Sequence, residues 1–241
     1  MISLTGIAEH FGTDKVSKDS HTHFNKNYMN IYEKYLEPMR NEPIRFLEIG
    51  VLDGRSLYSW RSYFTNGEVY GIDIQQRCKR YENKDMKVFV YILDCSSDER
   101  LEEFVKLFPN YFDVILDDGS HINNITVKTF NSLYKCLKNE GLYMIEDLGC
   151  AYMGEKLKKD IYHWPGCNLI DGKVLSDLNN NPQTMYDLYN EIHRSVDMPS
   201  SKVDGVRYGI EWFHHYPAIA IMKKNERYLK NDKDEARSLL E

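Results

Sequence analysis

The chain has 241 residues, 42% apolar and 28% charged, which is enough for one large α/β domain or at most two small ones. Its net charge of −6, with no long basic block, argues against a nucleic-acid backbone as partner, because such partners select a basic face. No stretch approaches the ~20 apolar residues that span a bilayer, so a membrane partner is not expected.

The N-terminus "MISLTGIAEHFGTDK" has neither a basic leader region nor a long apolar core. Five cysteines, an odd number without CxxC or zinc spacing, fit reduced thiols. A soluble cytoplasmic protein is expected. Tyrosine is abundant, at 18 residues, and suits either a polar ligand surface or a helical core.

In chain order, "HFGTDKVSKDSH" has loop composition, and "HTHFNKNYMNIYEKYLEPM" spaces Phe24, Tyr28, Ile31, Tyr32, Tyr35 and Leu36 as a helix that Pro38 ends. Residues 1–43 therefore read as a helical cap. The rhythm then changes. "IRFLEIG", "EVYGIDI", "KVFVYIL", "FDVILD" and "GLYMIED" read as strands. Between them, "RSLYSWRSYF", "SDERLEEFVKLF" and "NNITVKTFNSLYKCLK" read as helices, the second capped by Ser97. Strands alternating with helices predict right-handed crossovers and a parallel sheet covered on both faces.

Residues 44–148 form this core. The pattern weakens over residues 149–205, which read as a lid with one short helix. "VRYGIEWFHHYPAIAIMKK" then predicts a closing antiparallel hairpin, over 206–224. A single α/β domain is expected, with a mostly parallel seven-stranded sheet.

Ligands of open α/β sheets bind beyond the carboxyl ends of the strands. The first strand ends in "LEIGVLDGRS", which offers Glu48, Gly50, Gly54 and Ser56. Glycines there let backbone approach a ligand and aim the next helix at it. The spacing E-x-G-x-x-x-G departs from the dinucleotide fingerprint. Asp73 ends the second strand, 23 residues beyond Gly50, where an acid can accept both ribose hydroxyls. Asp94 ends the third, where an adenine edge would lie. Asp117 ends the fourth and Glu146–Asp147 the fifth. Each acid alone reads as well as a helix cap or solvated turn. Together, at five strand ends, they suit a ligand with hydroxyls and cationic groups.

"FLEIGVLDGRS" with "GIDI" resembles the first two motifs of class I S-adenosylmethionine-dependent methyltransferases. The ordered set "FGTDK", "YEKYLEPMR", "LEIGV", "GIDI", "LDDGSH" and "IEDL" is similar to bacterial sugar O-methyltransferases. These include macrolide-sugar enzymes of the macrocin and mycinamicin type and relatives in surface-polysaccharide pathways. The resemblance runs from Phe11 to Leu148 and resumes at "WFHHYPAIAIMKK".

It implies a Rossmann-like class I fold, S-adenosylmethionine as cofactor, and a divalent metal (Mg²⁺ or Mn²⁺) held by Asp118, Glu146 and Asp147. It further implies His121 as general base and Asp117 facing the cofactor. Thr13, Asp14 and Lys15 would close over the cofactor's amino-acid end, and related enzymes suggest a homo-oligomer.

The chemistry is coherent. A divalent cation lowers the pKa of a sugar hydroxyl and orients it. Carboxylates select a hard ion that keeps positions open for substrate oxygens. A neutral imidazole, with a pKa near ~6.5, can take the released proton. Neighbouring strands lie about 4.8 Å apart, so carboxylates at the fourth and fifth strand ends can converge. In the plainer reading, His121 caps the following helix and Glu146–Asp147 are a solvated strand end.

Tyr152, His163 and Trp164 could line a sugar site or simply pack. His21 and Tyr28 could likewise cap and pack in the first helix. A catechol-type phenolic O-methyltransferase and a non-catalytic cofactor-binding protein are the competing functions.

Overall fold

The structure, a computed structural model, describes residues 2–16, 28–152, 182–197 and 208–229. Seven strands form one sheet: β1 (Arg45–Ile49), β2 (Glu68–Asp73), β3 (Val88–Ile92), β4 (Phe112–Asp117), β5 (Leu137–Ile145), β6 (Ile210–Tyr216) and β7 (Ile219–Lys224). Their order is β3-β2-β1-β4-β5-β7-β6. The first five run parallel, and β7 lies antiparallel between β5 and β6. Strand order reverses between β1 and β4, so the ligand-binding switch point lies where Gly50 and Asp117–Asp118 follow their strands.

Strand alternation divides the core. Phe46 of β1, Val114 and Leu116 of β4 and Met144 of β5 face α1 (Leu4–Phe11), α2 (Tyr28–Leu36) and α3 (Arg55–Tyr63). Leu47, Ile49, Ile115, Tyr143 and Ile145 face the other way, towards α4 (Asp98–Leu107), α5 (Asn123–Leu133) and α6 (Pro182–Asp197). Each face is apolar because a parallel sheet is covered on both sides. Ser97 caps α4, its Oγ accepting from the Arg100 N–H at 3.3 Å. Met185, Leu188 and Ile192 of α6 are buried on the second face. This helix lies within the segment read as a lid. Residues 153–181 and 198–205 of that segment, and 206–207 of the expected hairpin, lie outside the described residues.

Two boundaries differ from expectation. The helix expected to continue through Lys138 ends its α-helical part at Leu133, and β5 begins at Leu137 rather than Gly141. Leu137 is fully buried and pairs with Phe112, so burial overrides the helical pattern there. The chain then bulges before Leu142 resumes the pairing opposite Val114.

Gly50 (φ +94°) shows why the β1 turn needs a glycine. A Cβ there would sit 2.1 Å from the carbonyl oxygen of Asp118. The glycine expected to admit a ligand thus first admits the neighbouring β4 loop. Gly54 (φ +76°) similarly makes room for the Tyr81 ring. Gly50→Ala should therefore destabilise the protein by about 2–3 kcal/mol or more, through a strained φ and a displaced β4 loop. Urea unfolding of the variant is the check, and wild-type stability would contradict the close approach.

Candidate active site

The same alternation that sorts the core sorts the acids. Glu48 shares the parity of Phe46, Asp118 that of Leu116, and Glu146 that of Met144, so all three point to the α1–α3 face. There they meet one cation. Lys15, in the short turn after α1, is only 2% exposed, and its Nζ forms ion pairs with Asp118 Oδ2, with Glu146 Oε2 at 3.0 Å and with Glu48 Oε1 at 3.5 Å. Glu48 gives its other oxygen to Ser56 Oγ–H at 2.6 Å, and Glu146 gives its other to Tyr32 Oη–H at 2.7 Å. Three cationic or hydroxyl donors therefore hold a pair of carboxylates that are 0% and 4% exposed.

Burial pushes the Glu48 carboxyl up to about 7, against the opposing pull of Lys15 and Ser56. Burial and the Asp118 charge likewise raise Glu146 well above the usual carboxylate range. Burial opposes the charge on Lys15, but Asp118, Glu146 and Glu48 outweigh it and raise its pKa. The Tyr32 and Tyr28 hydroxyls are raised by burial and by the acids they donate to. Both stay protonated donors at neutral pH.

Beside this buried cluster, Asp118, His121 and Asp147 bring one potential ligand atom each to within 4.8 Å of one another. His121 Nε2 lies 3.7 Å from Asp118 Oδ1 and 4.0 Å from Asp147 Oδ2. Asp147 Oδ1 accepts from Tyr28 Oη–H at 2.6 Å. His121 and Asp147 adopt left-handed backbone, at φ +55° and +54°. Such strain in non-glycine residues persists where surrounding structure imposes it. The N-cap position of α5 is Ile122, one residue after His121. Glu146 is no solvated strand end, being buried with both oxygens bonded.

The expected site residues separate into groups. Lys15, expected at the cofactor's amino-acid end, sits in the acid cluster with Glu48 and Ser56. Thr13 is buried beside it, and its Oγ1 accepts from the Lys15 N–H at 3.5 Å. Glu146, expected among the metal ligands, is bound by Lys15 and Tyr32 and stands outside the Asp118–His121–Asp147 group.

Asp73 braces the glycine turn, with Oδ2 accepting from the N–H groups of Val51 and Leu52 at 2.9 and 3.1 Å. Asp94 closes its own turn through the Ser96 N–H at 2.8 Å. Asp117 faces the opposite side of the sheet from Asp118. Its Oδ1 accepts from the Gly119 N–H, while its buried Oδ2 has no partner among the described residues. Burial pushes this carboxyl up to about 7. The side chain of Tyr152, and all of His21, His163 and Trp164, lie outside the described residues.

Sequence reasoning assigned Tyr32 only to helix packing and left Tyr28 open. The available signal was their i, i+4 spacing on α2, which puts both hydroxyls on one face.

No protein-family model matches the chain. Among curated proteins, it is 33% identical over 156 residues to the 8-demethyl-8-alpha-L-rhamnosyl tetracenomycin-C 2'-O-methyltransferase of Streptomyces olivaceus, covering 62% of this chain and 38% of that protein. It is 32% identical over 142 residues to the demethylmacrocin O-methyltransferase of Streptomyces fradiae, covering 56% and 32%. The mycinamicin VI 2''-O-methyltransferase of Micromonospora griseorubida gives the same identity and shares. The solved structure of the MycE methyltransferase from the mycinamycin biosynthetic pathway, in complex with Mg and SAH, superposes with a TM-score of 0.67. That match has 26% identity and covers 92% of this chain and 55% of the other.

The fold is therefore the Rossmann-like fold of class I methyltransferases. The relatives of this chain are sugar O-methyltransferases, as its motifs suggested. The chain spans well under half the length of these curated relatives.

Breaking a buried ion cluster by removing one partner costs about 3–5 kcal/mol. Lys15→Met should lower unfolding stability by about that amount, and adding Glu48→Gln should restore part of it by removing one stranded charge. Urea denaturation of both variants tests this. A Lys15→Met cost within experimental error would mean the acids are not held as charges.

Proposed function

We propose that the chain carries an S-adenosylmethionine-dependent O-methyltransferase that methylates a sugar hydroxyl on a glycosylated small molecule. The observation that carries this reading is the Asp118–His121–Asp147 group at the switch point of a class I fold, in a chain whose relatives are sugar O-methyltransferases. The related MycE structure holds Mg, SAH and mycinamycin VI.

The residues present fit both groups. Asp117 presents a buried carboxylate oxygen without a partner among the described residues, and Asp73 and Asp94 follow it along the strand ends. A ligand with hydroxyl, amino and sulfonium groups suits such a row. When bound, S-adenosylmethionine supplies an electrophilic methyl carbon.

Asp118 and Asp147, with Glu146 beside them, are the carboxylates that would hold a divalent cation, which when bound would supply Lewis acidity to a sugar hydroxyl. Hard carboxylate donors match Mg²⁺ or Mn²⁺. His121, between them, takes the hydroxyl proton. Bound S-adenosylmethionine would supply the methyl carbon to the sugar oxygen, its carbon–sulfur bond breaking to leave a neutral thioether. The chain's task is alignment, because in-line transfer needs positioning more than covalent help. No described helix is long and apolar enough to cross a membrane.

S-adenosylhomocysteine release should be measured across nucleotide sugars, glycosylated natural products, surface glycans and catechols, each with Mg²⁺ and with EDTA. Turnover is expected on a glycoside, abolished by EDTA and reduced about 10²–10⁴-fold in His121→Ala, the usual share of a general base. Turnover that survives EDTA and Asp118→Ala would end the metal reading. Turnover on catechols alone would move the acceptor to phenolic diols.

A further inference from the structure

Two stretches that stand out in the sequence, "YEKYLEPMR" and "WFHHYPAIAIMKK", meet at one place that the reaction above does not use. Period two along β6 turns Trp212, His214 and Tyr216 to the cap face, where Tyr35 of α2 packs against all three. The Trp212 and His214 rings stack, with centroids 4.6 Å apart and planes at 21°. Tyr35 Oη lies 2.7 Å from His214 Nδ1 and 2.7 Å from Tyr216 Oη. His214 is exposed and the other three are half-buried. Closing a helix onto a sheet needs only apolar side chains, as Phe46 and Met144 show on the same face. Here the closing rings carry hydroxyl and imidazole groups.

This patch opens at the same end of the sheet as the candidate active site. Ile145 of β5 and His215 of β6 both pair with Ala220 of β7, so Tyr216 stands level with Glu146. The Leu148 N–H donates to the Ala218 carbonyl at 3.1 Å, which fixes the hairpin tip beside the loop that carries Asp147. Two routes give the separation. β6 lies two strands from β5, about 10 Å across the sheet. Tyr35 lies two turns, again about 10 Å, along α2 from Tyr28, whose hydroxyl donates to Asp147.

We propose that Tyr35, Trp212, His214 and Tyr216 seat a sugar ring of the acceptor beyond the one being methylated, so that the substrate carries more than one sugar ring. The inference rests on the sugar O-methyltransferase reading above and deepens it. A pyranose has a face of C–H bonds and a rim of hydroxyls, and is held by an aromatic face with polar atoms at its edge. Trp212 covers one face of the His214 ring, and the exposure of His214 leaves the other open. The Trp212 Nε1–H and His214 Nε2 take no part in the contacts above and are placed to meet hydroxyls. An apolar group in the same seat would leave those nitrogens unmet.

The probes are the methyl glycosides of L-rhamnose, D-mannose and D-glucose, and disaccharides that extend each by one ring. UDP and the phenyl glycosides represent the other occupants. Affinity for the protein loaded with S-adenosylhomocysteine and Mg²⁺ is read by saturation-transfer NMR titration, beside thermal unfolding and methyl transfer. At least one disaccharide should bind about tenfold more tightly than its monosaccharide, the scale of one stacked ring with its hydrogen bonds. Trp212→Leu and His214→Ala should each remove that difference, while affinities for the monosaccharide and for S-adenosylhomocysteine stay within about twofold. His214→Ala, at an exposed position, carries the comparison if Trp212→Leu loosens the hairpin.

The proposal is overturned if no disaccharide binds more tightly than its monosaccharide, or if the difference survives both substitutions. Preferential binding of UDP or of phenyl glycosides, lost in the same variants, would make the patch a nucleotide or aglycone seat and overturn it as well. Methyl transfer to glycosides that persists beside any of these outcomes leaves the proposed function standing. Transfer to no glycoside at all would remove the reading on which the sugar seat rests.

Discussion

One ammonium group allows this sheet to carry acids on its inner face. Glu48, Asp118 and Glu146 come from three adjacent strand ends and converge on Lys15, which is almost wholly buried. Three carboxylates at that spacing would repel one another and shed their charge by taking up protons. With the ammonium among them the cluster is partly neutralised, and Ser56 and Tyr32 each donate to one further carboxylate oxygen. A buried ion cluster is a poor source of net stability. Its value here is geometric, because it ties a residue near the N-terminus to strands that form the middle of the sheet.

That tie explains features that otherwise look unrelated. Gly50 must be glycine because the β4 loop, carrying Asp118 towards Lys15, passes too close for a Cβ. Asp147 and His121 accept left-handed backbone because the adjoining residues are already committed, Glu146 to the cap and Ile122 to the start of α5. Asp73 spends its oxygens on the Val51, Leu52 and Gln75 amides, which fixes the same glycine turn from the β2 side. Each local irregularity is the cost of bringing side chains from β1, β4 and β5 to one point.

The sheet was legible in the sequence because its evidence is local. Alternating apolar runs located β1 to β4 and the closing hairpin, and Ser97 marked the start of α4. β5 was misjudged at its start because Leu137 is placed by pairing with Phe112, a contact that no window around Leu137 contains. The strand-end acids were legible as a group. Their partition was less so, although period two gave half of it: Glu48 counts two from Phe46, and Glu146 two from Met144. What the period cannot give is the partner on the facing layer. Lys15 lies 103 positions from Asp118 and 131 from Glu146, and its neighbours "GTD" carry no signal of that distance. Tyr28 and Tyr32 looked like core aromatics because their rings are; only the hydroxyls reach the site.

The pair Asp117–Asp118 shows how little chain is needed to serve two ligands. Successive residues of a strand point to opposite faces. Asp117 therefore lies with Ile115 and Tyr143 on the α4–α6 side, and Asp118 turns to the cap side with Leu116. In the proposed reaction, the first acid faces the methyl donor and the second holds the cation beside the acceptor. The two carboxylates are fixed relative to each other by one peptide unit, at the point where the strand order reverses. A mobile side chain or a long loop could not set donor against acceptor so closely, and transfer along a line requires that setting. A buried strand that ends in two consecutive acids therefore need not end in a polar turn. In the proposed reaction it marks the boundary between two half-sites that meet beyond the carboxyl ends of the strands.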